Sequence, residues 1–392
     1  MLAYIHDALR TPRGKARPDG GLASLTPQEL VRQLVDGLRQ RSPEAAAQAQ
    51  ALLLGCVGQV GAQGGHIALV AKLHAGLPDA CSAVSLNNYC VSGLSAIGQA
   101  AAMVSSGQAR CVWASGVEMM SQVGFMADRA SYYTDASFPP RTRYVPVALA
   151  ADRLAAAEGI TRQALDAVAL ASQQRAAASQ DNAVLQRSRL AITHADGRVA
   201  LALDECIRAQ TSAEGLAAMA PAFAALAEPY AAALGDARFA ALHTISHAPP
   251  VCDGAAIALV GTEALTASRP RARIVGFADV GGDPAASLLA GMAAMDQVLA
   301  TTGLRLADMD RIEFMESFGV TLVKFLRDCP VDAARVNVGG GHMAKGHPLG
   351  ASGAILLSTL LDSLDEAKGR FGLVVCTGAS GTGAAMVVER LG

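Results

Sequence analysis

Short apolar runs alternate with helical patterns over the first 120 residues of the chain. The runs YIHDAL, LLLGCVGQVG, ACSAVSL and CVWASGVEMM each have strand length, and the third is predicted to be a buried strand at 80–86. Amphipathic stretches with a helical period separate them. This alternation predicts an α/β fold with a mostly parallel sheet and helices on both of its faces.

Residues 26–29 have the pattern of a helix N-terminus. Thr26 precedes Pro27, and Glu29 follows at the third helical position. This order predicts an N-cap, a proline at the first helical position and the acid of a capping box.

The pattern changes between about 117 and 246. This part is polar at first and carries aromatic residues and prolines, and a long helical pattern follows from Ala148 to Ala178. Strand–helix alternation then returns. We predict an inserted loop or lid domain at 119–246, an N-terminal half made of 1–118 and 247–267, and a C-terminal half at 268–392.

Composition narrows the class of protein. The chain has 392 residues, 52% of them hydrophobic and 17% charged, with a net charge of −2. It has no basic stripe for nucleic acid, and no apolar run of membrane-spanning length. The eight cysteines are scattered without CxxC spacing, and the start of the chain carries no signal-peptide pattern, so we predict reduced thiols and a cytoplasmic location.

Cys90 stands where a predicted strand meets a helical pattern rich in small residues. The unpaired N–H groups and dipole of a helix N-terminus favour an anion, so a thiolate is expected to be stabilised there. Taken alone, a cysteine in such surroundings is more often a buried core thiol.

Two parts of the chain repeat one arrangement. Cys90 opens a helix marked by Ser-Gly, and a strand ending at Gly116 follows. Near the C-terminus, Gly350 opens a similar helix, and a strand ending at Cys376-Thr-Gly378 follows. A duplicated strand–helix–strand unit would place the two helix starts against each other.

Together these motifs resemble the thiolase superfamily, and within it the degradative acetyl-CoA C-acyltransferases. The resemblance covers nearly the whole chain and is carried by RTPRGK, NNYCVSGLSAI, GVEMMSQ, SQQRAAAS, DECIRAQTSAEGLAAMAPAF, CDGAA, NVGGGHMAKGHPLGASG and CTGASGTG. It implies a duplicated five-layered α-β-α-β-α fold with an inserted loop domain. It also implies a homodimer or homotetramer, CoA thioesters as substrates and no bound cofactor.

The resemblance also implies residue roles. Cys90 would be the acylated nucleophile, His347 would activate it, and Cys376 would move the second proton. The backbone N–H groups of Cys90 and Gly378 would form the oxyanion hole. Acyl transfer between thiols by a ping-pong route needs these groups, since it requires a nucleophile, a base and a second proton carrier whose pKa values are brought near neutrality.

Each of these residues has a plainer interpretation. His347 in a Gly/Pro turn would equally be a hydrogen-bonded loop histidine, and Cys376 alone would be a core thiol at a strand end. His342 lies five residues before His347, which is not a helical metal-ligand spacing, so we predict no metal site. Several methionines are predicted to fill the core: Met119, Met120, Met126, Met292 and Met295.

Some positions depart from the family pattern. The family's Asn-Glu-Ala-Phe reads Met315-Glu316-Ser317-Phe318 here, so the amide that helps to stabilise the substrate oxygen is replaced by a thioether. The family's Asn-Ala-Ser-Gly reads 247–250, HAPP, which removes a serine that contacts pantetheine. We predict substrate contacts at Met315, Phe318, Pro249 and Ser246.

Three functions therefore stay open. The first is an acyltransferase that forms acyl-Cys90 and makes or cleaves a carbon–carbon bond, by 3-ketoacyl-CoA thiolysis or Claisen condensation. The second is a specialised biosynthetic acyltransferase that uses a carrier-protein thioester or a non-CoA acceptor. The third is a catalytically silent paralogue in a multienzyme complex, and retention of Cys90, His347 and Cys376 argues against it.

Overall fold

The computed structural model describes residues 2–235, 238–267 and 269–392. Its strands are β1 (Tyr4–Arg10), β2 (Gly14–Lys15), β3 (Ala51–Gly55), β4 (Ser82–Leu86), β5 (Cys111–Met119), β6 (Ile192–Thr193), β7 (Val199–Leu201), β8 (Cys252–Gly261), β9 (Ala272–Gly281), β10 (Arg311–Phe314), β11 (Phe371–Thr377) and β12 (Thr382–Arg390). Its α-helices are α1 (Pro27–Arg41), α2 (Pro43–Ala47), α3 (Ile67–His74), α4 (Ser92–Ser105), α5 (Val147–Ala157), α6 (Arg162–Ser179), α7 (Ala213–Ala217), α8 (Ala231–Leu234), α9 (Ala290–Thr302), α10 (Gly319–Asp328), α11 (His342–Lys345) and α12 (Ser352–Ala367).

Ten strands form one sheet in the order β10-β11-β12-β9-β1-β8-β5-β3-β4, with β2 paired to β8. The prediction of a mostly parallel sheet is wrong. Only the pairs β3–β4, β3–β5 and β10–β11 are parallel, and the other pairs of this sheet are antiparallel. The reason is visible at β11 and β12, because the short connection between them allows only an antiparallel return.

The two halves of the sheet enclose a central pair of helices. Helices α4 and α12 contact each other, and each also contacts strands of both halves. One core joins them, with Leu94 and Ile97 from α4 beside Ile355 and Leu357 from α12. Helices α1 and α3 cover the outer face of the N-terminal half, and α9 and α10 cover that of the C-terminal half. The predicted duplicated α-β-α-β-α layering is confirmed.

The starts of α4 and α12 lie against each other, as the repeated motif predicts. A methyl group on Gly93 would lie 2.8 Å from the carbonyl oxygen of Gly350, and one on Gly353 would lie 2.5 Å from the backbone nitrogen of Leu94. Only glycine permits this approach, because real Cβ contacts are not that short.

The segment between β5 and β8 contains α5 to α8 and the β6–β7 hairpin, and none of these elements belongs to the large sheet. Helices α5 and α6 instead pack on α10. The single helical pattern predicted at 148–178 is two helices. Gly159, at φ +61°, follows the end of α5, and the Thr161 side chain caps α6 by accepting from the Ala164 N–H. The predicted domain boundaries stay a prediction, and residues 1, 236–237 and 268 lie outside the described residues.

Two local predictions are wrong. The run at 80–86 is not a buried strand, because β4 is the outermost strand of the sheet and its residues are partly exposed. The Thr26 side chain makes no cap hydrogen bond, although Pro27 does begin α1. Glu29 pairs with Arg32 and His74 instead of closing a capping box.

Within the described ranges, none of the helices is long and apolar enough to cross a membrane.

Candidate active site

Cys90 lies in the tight connection from β4 to α4, two residues before the helix begins. Tyr89 has φ +46°, and the Ser92 hydroxyl closes the turn by donating to the Tyr89 carbonyl oxygen at 2.6 Å. Asn88 donates to the Asp279 carboxylate on β9, which ties the turn to the C-terminal half. The sequence correctly placed this thiol at a helix start, and the structure holds it there from both halves.

The surroundings of Cys90 oppose the ionisation expected at a helix start. Burial raises the pKa of this thiol to about 12, although the backbone N–H of Ala379 opposes the shift. Burial destabilises the thiolate by more than the N–H groups of the helix start stabilise it. The resting nucleophile is therefore a neutral thiol.

His347 follows the Gly346 turn after α11 and faces the same cavity as Cys90. Its Nδ1 lies 2.7 Å from the Ser352 hydroxyl at the start of α12, which leaves Nε2 as the ring nitrogen available to a reactant. Burial lowers the pKa of this imidazole to about 3, and the nearby Arg13 guanidinium lowers it further. The imidazole is neutral at pH 7 and able to accept a proton.

The RTPRGK segment supports the histidine from behind. Arg13 is buried, and its Nη1 donates to the Gly346 carbonyl oxygen at 3.1 Å. Its backbone N–H donates to Asp204, which also forms a buried ion pair with Arg10 at 2.9 Å. This network fixes the turn that carries His347.

Cys376 is fully buried near the end of β11 and belongs to the core cluster against which Cys90 packs. Burial raises the pKa of this thiol well above its usual value, and Cys90 raises it further. The residues after it, Thr377 and Gly378, line the cavity. The structure therefore brings Cys90 and His347 to one cavity and places Cys376 in the core on which Cys90 packs.

The predicted oxyanion pair is half supported by the geometry. Gly378 does approach the nucleophile, since a methyl group on it would lie 3.3 Å from the Cys90 backbone nitrogen. However, the Gly378 N–H donates to the Thr382 carbonyl oxygen at 2.8 Å. The N–H beside the Cys90 sulfur is that of Ala379, which opens a single helical turn and has no partner inside it. The available donor next to Cys90 is thus one residue further along.

A cavity of about 340 Å³ contains Cys90 and His347. A neighbouring groove of about 400 Å³ shares four residues of its wall: Phe223, Ala248, Pro249 and Val251. The groove carries Lys15, Arg17 and Arg208, whereas the cavity wall is almost entirely apolar. The two spaces therefore differ sharply in charge.

Of the four predicted substrate contacts, two line the cavity and two do not. Phe318 and Pro249 line the cavity. Met315 is instead fully buried in the inner core, and the Ser246 hydroxyl lies 3.1 Å from the Met219 sulfur, away from the cavity wall. Two methionines predicted to fill the core, Met120 and Met126, prove to line the cavity.

Sequence reasoning missed Glu118, a buried carboxylate at the end of β5. It accepts hydrogen bonds from the backbone N–H groups of Val57, Gly58 and Gly350 at 2.9–3.0 Å, so it joins the end of β3 to the start of α12. The signal was an acidic residue inside the apolar run CVWASGVEMM, because a charge buried in a strand needs several donors.

The contact of His342 with His347 was also not predicted from the sequence. Its ring is fully buried and packs edge-on against the His347 ring at 5.0 Å, and neither ring nitrogen has a hydrogen-bond partner. Across the described residues there is no group of three or more His, Cys, Asp or Glu that could hold a metal ion.

Comparison with known proteins agrees with this geometry. The model of the thiolase N-terminal domain matches residues 3–264, and the model of the thiolase C-terminal domain matches residues 268–390. This chain belongs to the thiolase family. As a thiolase, it is an acyltransferase.

Its relatives match over nearly their full length. The 3-oxoadipyl-CoA/3-oxo-5,6-dehydrosuberyl-CoA thiolase of Escherichia coli K12 is 33% identical, with 99% of each chain covered. The 3-ketoacyl-CoA thiolase of Citrobacter koseri is 32% identical, covering 99% of this chain and 98% of the relative. A probable acetyl-CoA acetyltransferase of E. coli K12 is 33% identical, with 98% of each covered.

Proposed function

We propose that this thiolase transfers acyl groups between CoA thiols through an acyl-Cys90 intermediate, and that it makes or cleaves the carbon–carbon bond of a 3-ketoacyl-CoA. The observation that carries the proposal is that Cys90 and His347 line one cavity, with the backbone N–H of Ala379 directed at the Cys90 sulfur.

In the cleavage direction, His347 Nε2 takes the proton of the Cys90 thiol, and the sulfur attacks the 3-keto carbon. The bond between C2 and C3 then breaks, and its electron pair goes to C2 of the departing acetyl-CoA enolate. Cys376 protonates that carbon. A second CoA thiol attacks acyl-Cys90, gives its proton to the resulting Cys376 thiolate, and leaves as the shortened acyl-CoA, while the Cys90 sulfur recovers its proton from His347.

The neutral resting forms of Cys90 and His347 suit this order of steps. Since the pKa of Cys90 is about 12 and that of His347 is about 3, the ion pair is a minor species until substrate arrives. The negative charge then moves onto the substrate oxygen, and we propose that the N–H groups of Cys90 and Ala379, which lie near the Cys90 sulfur, donate to it. Each such donor contributes about 3 kcal/mol to stabilisation of the transition state.

The neighbouring groove supports CoA as the carrier. Lys15, Arg17 and Arg208 are exposed along it, with Glu205 as the one acidic side chain on its wall. CoA carries phosphates, which such a set of cations attracts. The groove and the cavity share their wall at Pro249, and we expect a pantetheine arm to run past this residue to Cys90.

We also propose a homodimer in a cytoplasmic setting. Strand β4 ends the sheet and has β3 as its one neighbour. Beside it, α3 exposes Leu69, Val70 and Leu73, and β4 itself exposes Val84. An unpaired edge next to exposed apolar side chains favours pairing with a second copy of the chain.

Intact-protein mass spectrometry tests the acyl enzyme. After incubation with acetyl-CoA and rapid acid quench, we expect a mass increase of one acetyl group, located on the peptide that carries Cys90. The Cys90→Ala variant should show no increase, and Cys329→Ala, which changes a thiol outside the cavity, should behave as the wild type. An unmodified Cys90 in the wild type would overturn the proposal.

A further inference from the structure

We infer that the acyl group accepted by Cys90 ends in an uncharged apolar tail of aryl or medium-chain size, and that a tail ending in a carboxylate is rejected. The inference rests on the proposed function and concerns the same cavity. It separates this chain from those relatives whose names specify 3-oxoadipyl substrates.

The charge of the cavity wall disfavours an anionic tail. None of the described side chains that line the cavity is Lys, Arg, Asp or Glu. The His347 imidazole is neutral at pH 7 because its pKa is about 3. A carboxylate brought to the buried part of this space, beside Leu288 and Phe318, would lose hydration without gaining a cation, which is a costly transfer.

Two arginines close to the cavity are already engaged, and three further cations lie in the groove. Arg143 adjoins Tyr144 in sequence, but its guanidinium donates to the backbone carbonyls of Phe138, Ala232 and Ala136 at 2.6–2.8 Å. Arg13, behind His347, is bound to the Gly346 carbonyl oxygen and is absent from the wall. The three cations of the groove lie beyond the shared wall, on the side assigned to CoA.

Aromatic content is the second argument. The chain has only 9 Phe, 6 Tyr and 1 Trp, yet five of these line the cavity: Phe125, Tyr144, Phe223, Tyr230 and Phe318. A further ring supports the wall from behind, since Tyr133 packs edge-on against Tyr144 with ring centroids 5.1 Å apart. Rings prefer edge-to-face and offset contacts with other rings, and they also pack well on alkyl groups.

The volume of the cavity is compatible with a tail of this size. A volume of about 340 Å³ corresponds to roughly eleven groups of the size of a water molecule, at about 30 Å³ each. The reacting carbonyls beside Cys90 and the end of the pantetheine arm at Pro249 occupy part of that space. The remainder fits a phenyl ring or a chain of medium length.

A substrate panel tests the inference on the wild-type protein. The probes are 3-oxohexanoyl-CoA, 3-oxo-3-phenylpropanoyl-CoA and 3-oxoadipyl-CoA, which differs from the first by its terminal carboxylate. We expect kcat/KM for 3-oxoadipyl-CoA to be lower than for 3-oxohexanoyl-CoA by roughly 100-fold or more, and the phenyl substrate to be cleaved. Equal or better cleavage of 3-oxoadipyl-CoA would overturn the inference while leaving acyl-Cys90 chemistry intact. Failure of every probe to acylate Cys90 would instead overturn the proposed function.

A matched pair of variants sharpens the test. Leu226 lines the cavity and is 37% exposed, whereas Leu203 is 40% exposed and lies outside it. Leu226→Arg should raise the ratio of kcat/KM for 3-oxoadipyl-CoA over 3-oxohexanoyl-CoA by roughly tenfold or more, because it supplies the missing cation. Leu203→Arg should leave the ratio unchanged. The same ratio in a folded Leu226→Arg variant and in the control would contradict the inference; if Leu226→Arg fails to fold, the wild-type panel decides alone.

Discussion

At the scale of single residues, the nucleophile and its base are both uncharged before substrate binds. Burial raises the pKa of Cys90 and lowers that of His347, so the two shifts act in the same direction, against the ion pair. Such a pair protects the thiol from adventitious electrophiles, because the thiolate is the reactive form. Catalysis then depends on the substrate oxygen receiving charge from the sulfur.

This state predicts slow alkylation of Cys90 in the free enzyme. A thiol with a raised pKa stays protonated below that pKa, so the thiolate fraction should keep rising with pH. We expect the rate of iodoacetamide modification, followed by peptide mass spectrometry, to increase from about pH 6 to pH 10 without a plateau. Free glutathione in the same tube should level off toward the upper end of that range and should react roughly 100-fold faster at pH 7. A plateau for Cys90 below pH 8 would show a thiolate nucleophile.

The motif residues could be predicted from sequence, but their environment could not. Cys90 was assigned its role by resemblance, through the motif that surrounds it and the motifs at the far end of the chain. Its pKa is set by burial among parts of the chain far from it in sequence, such as Leu349 and Ala379. Gly378 was assigned by resemblance, whereas hydrogen bonding to Thr382 depends on the exact turn that follows β11.

At the scale of elements, the contact between α4 and α12 sets the distance from nucleophile to base. Cys90 precedes α4, and Ser352, which holds His347, begins α12. The close packing at Gly93 and Gly353 therefore positions the two reacting side chains as well as the core.

The substitution Gly353→Ala should disturb both the packing of the core and the position of the reacting side chains. The added methyl group would lie 2.5 Å from the Leu94 backbone nitrogen, so the helices must separate. Overpacking of this kind costs about 1–3 kcal/mol, and we expect a lower urea midpoint together with a reduced kcat. The matched control is Gly281→Ala, since a methyl group there meets nothing within 4 Å. Equal midpoints for the two variants would show that the helix contact is not tight.

Element type was more predictable than element direction. Apolar period and length correctly marked the strands and helices, because burial imposes that pattern wherever the element lies. Whether neighbouring strands run parallel depends on connections such as the short turn before β12, and the alternation alone does not specify it. The exposure of β4 was missed for a related reason, since an apolar run does not reveal that its strand is outermost.

At the scale of the whole molecule, the edge at β4 is where we propose that a second copy of the chain pairs. It joins unpaired backbone groups with exposed side chains on α3, and it lies at the end of the sheet next to the turn that carries Cys90. Pairing two such edges would bury both and restrain the connection from β4 to the nucleophile.

Val84→Lys should weaken this association, since it places a charge at the edge. We expect the wild type to sediment as a dimer at micromolar concentration in analytical ultracentrifugation, and the variant to shift toward the monomer. Val199→Lys is the control, because Val199 is 61% exposed on the separate β6–β7 hairpin and should leave the dimer intact. A monomeric wild type would contradict the proposed dimer.

The seam between the two halves of the sheet is short. Strands β1 and β9 pair at only two positions, Tyr4 with Arg273 and Ile5 with Ala272. So few ladder bonds cannot hold the halves together, and α12 instead fills the space against strands of both. Truncation before this helix would consequently uncover the interior of the half that supplies the nucleophile, so that half completes its core only after the last 41 residues, Ser352 to Gly392, have been made.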